Sequence, residues 1–381
     1  MNQLDRMRPT WAEVDLGAIG ANVAELKRLS RARHFMAVVK ANGYGHGAVS
    51  VAKAALETGA DWLGVALVEE GVELRRNGIT APILVLGYVA PGLADTVLMY
   101  DLRVACFDLD LARALNQWAR PMMRKAKVHV KVDTGMGRVG VQPHESLPFI
   151  RQLAELPHIE VEGIFTHFAA ADEPQQEFTA RQVERFDALL AALEEAGITP
   201  AIRHAANSAG LMLHPDGHYD LVRAGIALYG LPPAPGVDWP ARLTPALSWK
   251  SRIAMVKWVE PGTPISYGCT YRSAGREQIA SLPVGYADGL FRLLSNRGSV
   301  LIQGRRCPIV GRVCMDQTLV RVPDELTARV GDEVVLIGRQ GKEEISATEM
   351  ARTVGTINYE IVCAISQRVP RFHLHGRPDG R

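Results

Sequence analysis

The sequence predicts an α/β protein: an N-terminal (β/α)8 barrel of the TIM type over residues 1–240, followed by a mainly-β domain over residues 241–381. Three observations predict it. Short β-branched runs alternate with segments of helical spacing through the first part of the chain. A Pro-rich stretch, Leu231-Pro-Pro-Ala-Pro-Gly-Val-Asp-Trp-Pro240, then breaks that rhythm. Beyond it, strands follow one another closely, separated by turn residues. A chain of 381 residues also exceeds most single cores. The extreme N-terminus is left open to pack on the β domain.

Eight barrel strands can be read in order: Phe35–Lys40, Trp62–Leu67, Ile83–Gly87, Arg103–Phe107, Val128–Val132, Val161–Phe165, Ala201–Ala205 and Leu221–Arg223. Between them lie helical patterns. From Phe178 to Glu195, for example, Phe178, Val183, Phe186, Leu189, Leu190 and Leu193 fall largely on one face. An open doubly wound sheet is the alternative, but it would usually have fewer strands or an early glycine-rich fingerprint. The β domain is expected to hold strands at Leu247–Val259, Gln278–Leu282, Ser299–Ile302, Thr318–Val322 and Glu333–Ile337.

Composition narrows the function. Hydrophobic residues make up 47% and charged residues 22%, ordinary for a globular protein. Lys plus Arg number 43 against 41 Asp plus Glu, so no basic excess points to nucleic acid. The N-terminal residues lack an apolar signal region and no later stretch would span a bilayer, so a cytoplasmic setting is expected. Five cysteines, Cys106, Cys269, Cys307, Cys314 and Cys363, show neither a Cys-x-x-Cys pair nor a repeated spacing, which argues against a disulfide scaffold or a metal site.

In such a barrel, polar residues at the carboxyl ends of strands face the active site. Lys40 ends the first strand, Asp133 and Arg138 follow the fifth, His167 follows the sixth, Asn207 and Ser208 follow the seventh, and Arg223 ends the eighth. Singly, each reads as a satisfied structural group. Together they are hard to explain as packing, because apolar residues there would avoid the desolvation cost. The loops after strands seven and eight, Asn207-Ser-Ala-Gly210 and Ala224-Gly-Ile-Ala227, suit phosphate, which barrels commonly bind at this place through backbone N–H groups. Ser208 alone would read as a helix cap. Lys40 runs into Ala41-Asn-Gly-Tyr-Gly-His-Gly47, a tight turn that lets a ligand approach the chain. A lysine enclosed there can carry a cofactor as a Schiff base, because burial lowers an amine's pKa.

Val38-Val-Lys-Ala-Asn-Gly-Tyr-Gly-His-Gly47 resembles the pyridoxal-phosphate lysine segment of the bacterial alanine racemase family, of fold type III. Further blocks are similar in the same order: Lys131-Val-Asp-Thr-Gly-Met-Gly-Arg138, Thr166-His-Phe168, His204-Ala-Ala-Asn-Ser208, Arg223–Gly230, Ser266-Tyr-Gly268, Gly285-Tyr-Ala-Asp-Gly289, Cys314-Met-Asp316 and Tyr359-Glu-Ile361. They cover essentially the whole chain.

This resemblance implies pyridoxal 5'-phosphate bound through Lys40, with Lys40 and Tyr267 as the two acid–base groups on opposite faces of the substrate. Racemisation needs both, since the α-proton must leave one face and return to the other. Tyr267 would serve the site of a second subunit, so a homodimer is implied, and His167 and Arg223 would polarise it. Arg223 would hydrogen-bond the cofactor ring nitrogen. Asn207 belongs to the same cofactor set, while Tyr44, Ser208, Gly225, Ile226 and Tyr359 would hold the phosphate.

Arg138 and the Met315 N–H would take the substrate carboxylate, supported by Lys131, often carbamylated in the family, and by Cys314 and Asp316. Asp172, Arg292, Arg312 and Ile357 match the family's access corridor. Tyr359 crowds the side-chain pocket, which favours alanine over serine. Asn358 departs from the proline of many relatives. The implied role is D-alanine supply for peptidoglycan. A broader racemase of serine or other small amino acids is the alternative, with a non-catalytic pyridoxal-phosphate carrier and a two-domain decarboxylase behind it.

Overall fold

The computed structural model describes residues 8–173 and 177–375. Residues 1–7, part of the N-terminal segment left open to pack on the β domain, lie outside them. The chain divides into two compact units. A barrel unit comprises Ala18–Gly43 and Ala48–Thr244; a β unit comprises the segment up to Gly17, Tyr44–Gly47 and the chain from Pro245 onward.

The strands in order begin with β1 (Thr10–Asp15), which belongs to the β unit. The barrel strands are β2 (His34–Val38), β3 (Trp62–Val65), β4 (Ile83–Val85), β5 (Arg103–Cys106), β6 (Ala126–Lys131), β7 (Ile159–Phe165), β8 (Ile202–His204) and β9 (Leu221–Ala224). All eight expected strands are present. β2 through β8 pair in parallel with consecutive neighbours, and β9 joins the free side of β2. Across the remaining seam, the Asp220 N–H reaches Arg203 O at 2.9 Å and the Arg223 N–H reaches Ala206 O at 3.1 Å, so the barrel is nearly closed.

Parallel strands are covered on both faces, and here Val104, Val128, Val130, Ile164 and Val222 are fully buried. The helix Glu177–Glu195 buries Thr179, Gln182, Phe186, Leu189 and Leu193. Its apolar stripe was legible; the two polar residues on that stripe were not.

The β unit continues with β10 (Leu247–Arg252), β11 (Met255–Val259), β12 (Pro264–Ile265), β13 (Tyr271–Arg272), β14 (Glu277–Leu282), β15 (Ser299–Ile302), β16 (Arg305–Pro308), β17 (Thr318–Val322), β18 (Glu333–Gln340), β19 (Glu343–Ile345) and β20 (Arg371–Leu374). One sheet runs β16-β15-β18-β10-β1-β20, with β19 on β18; a second runs β11-β14-β17; β12 and β13 form a hairpin.

The run Leu247–Val259, expected as one strand, is two. At the break, the Ile253 N–H turns to Asp332 O and the Ala254 N–H to Ser281 O. The first half thus pairs with β18 and the second with β14. β1 pairs antiparallel with β10 and parallel with β20, two partners far away in sequence.

Candidate active site

Arg223 is buried on β9, and its guanidinium is fully engaged on two sides. Nη1 donates to His204 Nδ1 at 2.8 Å. Nη2 donates to Ala205 O at 2.7 Å, Thr166 O at 3.0 Å and His167 Nδ1 at 3.1 Å. No acceptor among the described residues takes its Nε–H.

A guanidinium only donates, so both imidazole Nδ1 atoms must accept. His204 therefore keeps its proton on Nε2 and donates it to His129 Nδ1, 2.9 Å away. His129 in turn donates from Nε2 to Glu162, at 3.2 Å. Donation runs one way, from Arg223 to Glu162, and fixes both tautomers. Gly163 makes room for it: a Cβ there would lie 2.5 Å from His129 Nδ1.

The charges follow from burial. It pushes His167 and His204 well below the usual histidine range, and the Arg223 charge adds to this in both. His129 is lowered by burial despite Glu162. Burial pulls Arg223 down to about 9, which leaves it cationic at neutral pH. Glu162 is half-buried, which opposes its ionisation, but His129 and Lys127 donate to its carboxylate and hold it at about 2. Of the two groups expected to polarise Tyr267, His167 is thus neutral and only Arg223 carries charge.

Lys40 lies two residues beyond the end of β2, half-buried, rather than on the strand. Immediately after it, Ala41, Asn42 and Gly43 have φ of 52°, 53° and 60°, and Tyr44 has φ of 50°. Left-handed backbone costs non-glycine residues on the order of 1–2 kcal/mol each. Such a run persists only where its surroundings impose it. Here the Gly43 N–H bonds Val39 O at 2.8 Å, the Ala48 N–H bonds Asn42 Oδ1 at 3.0 Å, and the Ala41 N–H bonds Glu70 Oε1 at 2.6 Å.

Ser208 is buried after β8, and its hydroxyl accepts from the Gly225 N–H at 2.8 Å and the Ala227 N–H at 3.4 Å. Having accepted twice, Ser208 has its own proton to donate. Ile226 follows, fully buried. The Asn207 side chain caps the next helix, accepting from the Gly210 N–H at 2.9 Å and donating to Phe168 O at 3.4 Å.

Lys131, at the end of β6, is buried and donates to Val132 O at 2.7 Å. Burial first, and then the Arg223 charge, bring it down to about 7. Asp133 serves its own loop: its carboxylate accepts the Gly135 and Gly137 N–H groups at 3.0 Å, and these hold it below the usual range against the opposing effect of burial. Arg138 is exposed on that loop, and Asp172 is half-buried in the turn beyond β7.

In the β unit, Tyr267 is 73% exposed. The residue before it, Ser266, is held at φ 62°, ψ −177°, a region otherwise almost confined to glycine. Its hydroxyl donates to Arg312 O at 2.6 Å and lies 3.4 Å from Cys314 Sγ. Gly311 is required beside it, since a Cβ there would fall 2.7 Å from the Ser266 Cβ. Met315 and Ile357 are more than half exposed, and Arg292 is exposed. Asp316 accepts from Arg368 at 2.7 Å. Tyr44 and Tyr359 also belong to this unit, with ring centroids 6.2 Å apart. Burial, with Tyr359 and Cys363 adding to it, pushes the Tyr44 phenol up. Asn358 donates to Thr348 Oγ1 at 3.1 Å, which ties it to the preceding helix.

Sequence reasoning missed His129, Glu162, Glu70 and Gln182. The signal for the first two was a polar residue inside an apolar strand, in Val128-His-Val130 and Val161-Glu-Gly163.

The fold and the lysine-bearing loop place the chain among (β/α)8-barrel enzymes with an appended β unit. The family described as "Alanine racemase, N-terminal domain" matches residues 14–233, and "Alanine racemase, C-terminal domain" matches residues 246–373. An alanine racemase of Symbiobacterium thermophilum is 68% identical over 97% of this chain and 98% of its own. The solved alanine racemase of Clostridium difficile 630 is 44% identical, covers 96% of each chain and superposes with a TM-score of 0.91. That of Bacillus anthracis, with bound L-Ala-P, is 43% identical, covers 98% of this chain and 96% of its own, and has a TM-score of 0.92. The chain belongs to the alanine racemase family. It is an amino-acid isomerase that racemises alanine, and neither the carrier nor the decarboxylase reading is favoured.

Proposed function

We propose that this racemisation uses two bases, Lys40 and Tyr267, with pyridoxal 5'-phosphate as cofactor, in a cytoplasmic homodimer that supplies D-alanine for peptidoglycan. The observation that carries the two-base reading is the strain at Ser266: an unfavourable backbone is maintained directly before a tyrosine exposed to the surroundings.

The residues present fit the cofactor. Ser208, whose hydroxyl oxygen accepts two backbone amides, has its own proton to donate to a phosphate. Arg223 has an Nε–H that no acceptor among the described residues takes, suited to a ring nitrogen. Because an arginine donates and keeps its proton, it holds that nitrogen unprotonated. Lys40 would carry the cofactor covalently; Ser208, Gly225, Ile226, Tyr44 and Tyr359 would hold its phosphate. When bound, the cofactor withdraws electron density from the substrate's α-carbon.

Lys40 Nζ takes the α-proton from one enantiomer, and the phenol of Tyr267 gives a proton to the opposite face; the reverse sequence starts from the other enantiomer. One proton leaves and one returns. Arg138 and the Met315 N–H hold the substrate carboxylate, with Cys314 and Asp316 supporting and Asp172, Arg292, Arg312 and Ile357 lining the way in. Lys131, with its pKa near 7, has the neutral amine that carbamylation requires, and the resulting anion would orient Arg138. The exposure of Tyr267, Met315 and Ile357 supports a second copy of the chain as the group that completes the site.

A substrate panel tests the reading. L-Alanine should be racemised roughly tenfold to a hundredfold better than L-serine, the discrimination a tight apolar pocket achieves, and L-lysine not at all. Equal rates for alanine and serine would remove Tyr359 as the residue that sets substrate size.

A further inference from the structure

The geometry points to Glu70 as a positioning residue for Lys40, an inference that rests on the reading of Lys40 above. Glu70 is the third residue of the helix Val68–Arg76, on the βα segment after β3, and its sequence neighbours give it no part in the chemistry. Its two carboxylate oxygens are divided between two loops. Oε2 accepts the Ala66 N–H at 2.7 Å and the Leu67 N–H at 3.2 Å, which caps its own helix. Oε1 accepts the Ala41 N–H at 2.6 Å, from the residue that follows Lys40.

That N–H belongs to the first residue of the left-handed run, Ala41 at φ 52°, ψ 50°. Alanine has no side-chain group to stabilise this conformation locally, unlike Asn42. The backbone is therefore held from outside, and Glu70 is the side chain that holds it. A carboxylate suits this place because all three bonds need an acceptor. Glutamine could serve only with its single oxygen, and its NH2 would confront an N–H donor. Since the turn at Ala41 sets where Lys40 leaves the backbone, Glu70 fixes the origin of the lysine side chain without touching the reacting atoms.

The test uses full-length protein with the cofactor removed, in wild type, Glu70→Gln, Glu70→Ala and Glu69→Gly. Glu69 is exposed on the same helical turn, so Glu69→Gly weakens the helix without touching Ala41. Two quantities are read: hydrogen exchange of the Ala41 amide, and the rate at which added pyridoxal phosphate develops its protein-bound visible absorbance.

Both Glu70 variants should exchange the Ala41 amide faster and take up the cofactor about tenfold or more slowly, as expected for a misplaced nucleophile. Glu69→Gly should leave both near wild type at a comparable loss of melting temperature. Wild-type exchange and uptake in Glu70→Ala, or equal slowing in Glu69→Gly, would overturn the assignment. Were wild type itself to develop no absorbance, the cofactor reading would fall, and the Ala41 exchange alone would decide the role of Glu70.

Discussion

At the scale of single residues, the site is governed by what burial does to charge. His167 and His204 are neutral because both are buried beside Arg223, and their hydrogen bonds leave no other arrangement of protons. Lys131 shows the energetic consequence. Its folded pKa is about 7 against the ordinary 10.5, so between these values the unfolded chain binds a proton that the folded chain lacks. Stability should therefore rise with pH through that window and be lowest below pH 7.

In buffer free of carbon dioxide, the melting temperature of wild type should climb from pH 7 to pH 10. Lys131→Met should flatten the climb and melt higher than wild type at pH 7; coincident curves would contradict the burial account. The placement of Lys40, His167 and Arg223 at or just beyond the ends of barrel strands was legible in the sequence, where polar residues have few structural reasons to stand. His129 and Glu162 were not, since the path from Arg223 crosses from strand to strand and no spacing along the chain records it.

At the scale of elements, loops are held by side chains from the helices beside them. Gln182 in the helix Glu177–Glu195 is fully buried; it accepts the Ala169 N–H at 2.9 Å and donates to His167 O at 3.0 Å and Thr134 Oγ1 at 3.2 Å. It joins the loop after β7 to the loop after β6. Gln182→Ala would remove three hydrogen bonds, at about 1 kcal/mol each, and should lower stability by roughly 3 kcal/mol in urea unfolding. It should also reduce kcat by loosening His167; a change under 1 kcal/mol, with kcat intact, would show that other contacts hold these loops.

The same helix marks the limit of pattern reading. Its apolar face predicts that it packs, but a glutamine on that face gives no sign of which loop it grips. The N-terminal strand β1 escaped for a related reason, because its partners β10 and β20 lie more than two hundred residues away along the chain. Barrel strands pair with the next βα unit, so their rhythm was visible; β1 has no such neighbour.

For the whole molecule, the proposed dimer makes a numerical demand. Mixing an inactive Lys40→Ala chain with an inactive Tyr267→Phe chain should recover activity if each site draws Lys40 from one subunit and Tyr267 from the other. Half of randomly reassembled dimers are mixed, and each then holds one intact site of two, so about one quarter of wild-type activity should return. No recovery would mean that Lys40 and Tyr267 act within one chain. The two-unit architecture was legible from the change in strand spacing at the Pro-rich stretch, whereas the strain at Ser266 was not, since Ser-Tyr-Gly carries no mark of its backbone angles.

The two-base assignment is tested most directly by α-proton exchange in heavy water with Tyr267→Phe. The variant should keep the cofactor's visible absorbance and still exchange the α-proton of D-alanine at Lys40, while exchange from L-alanine is lost. Exchange of L-alanine at the wild-type rate would contradict the account.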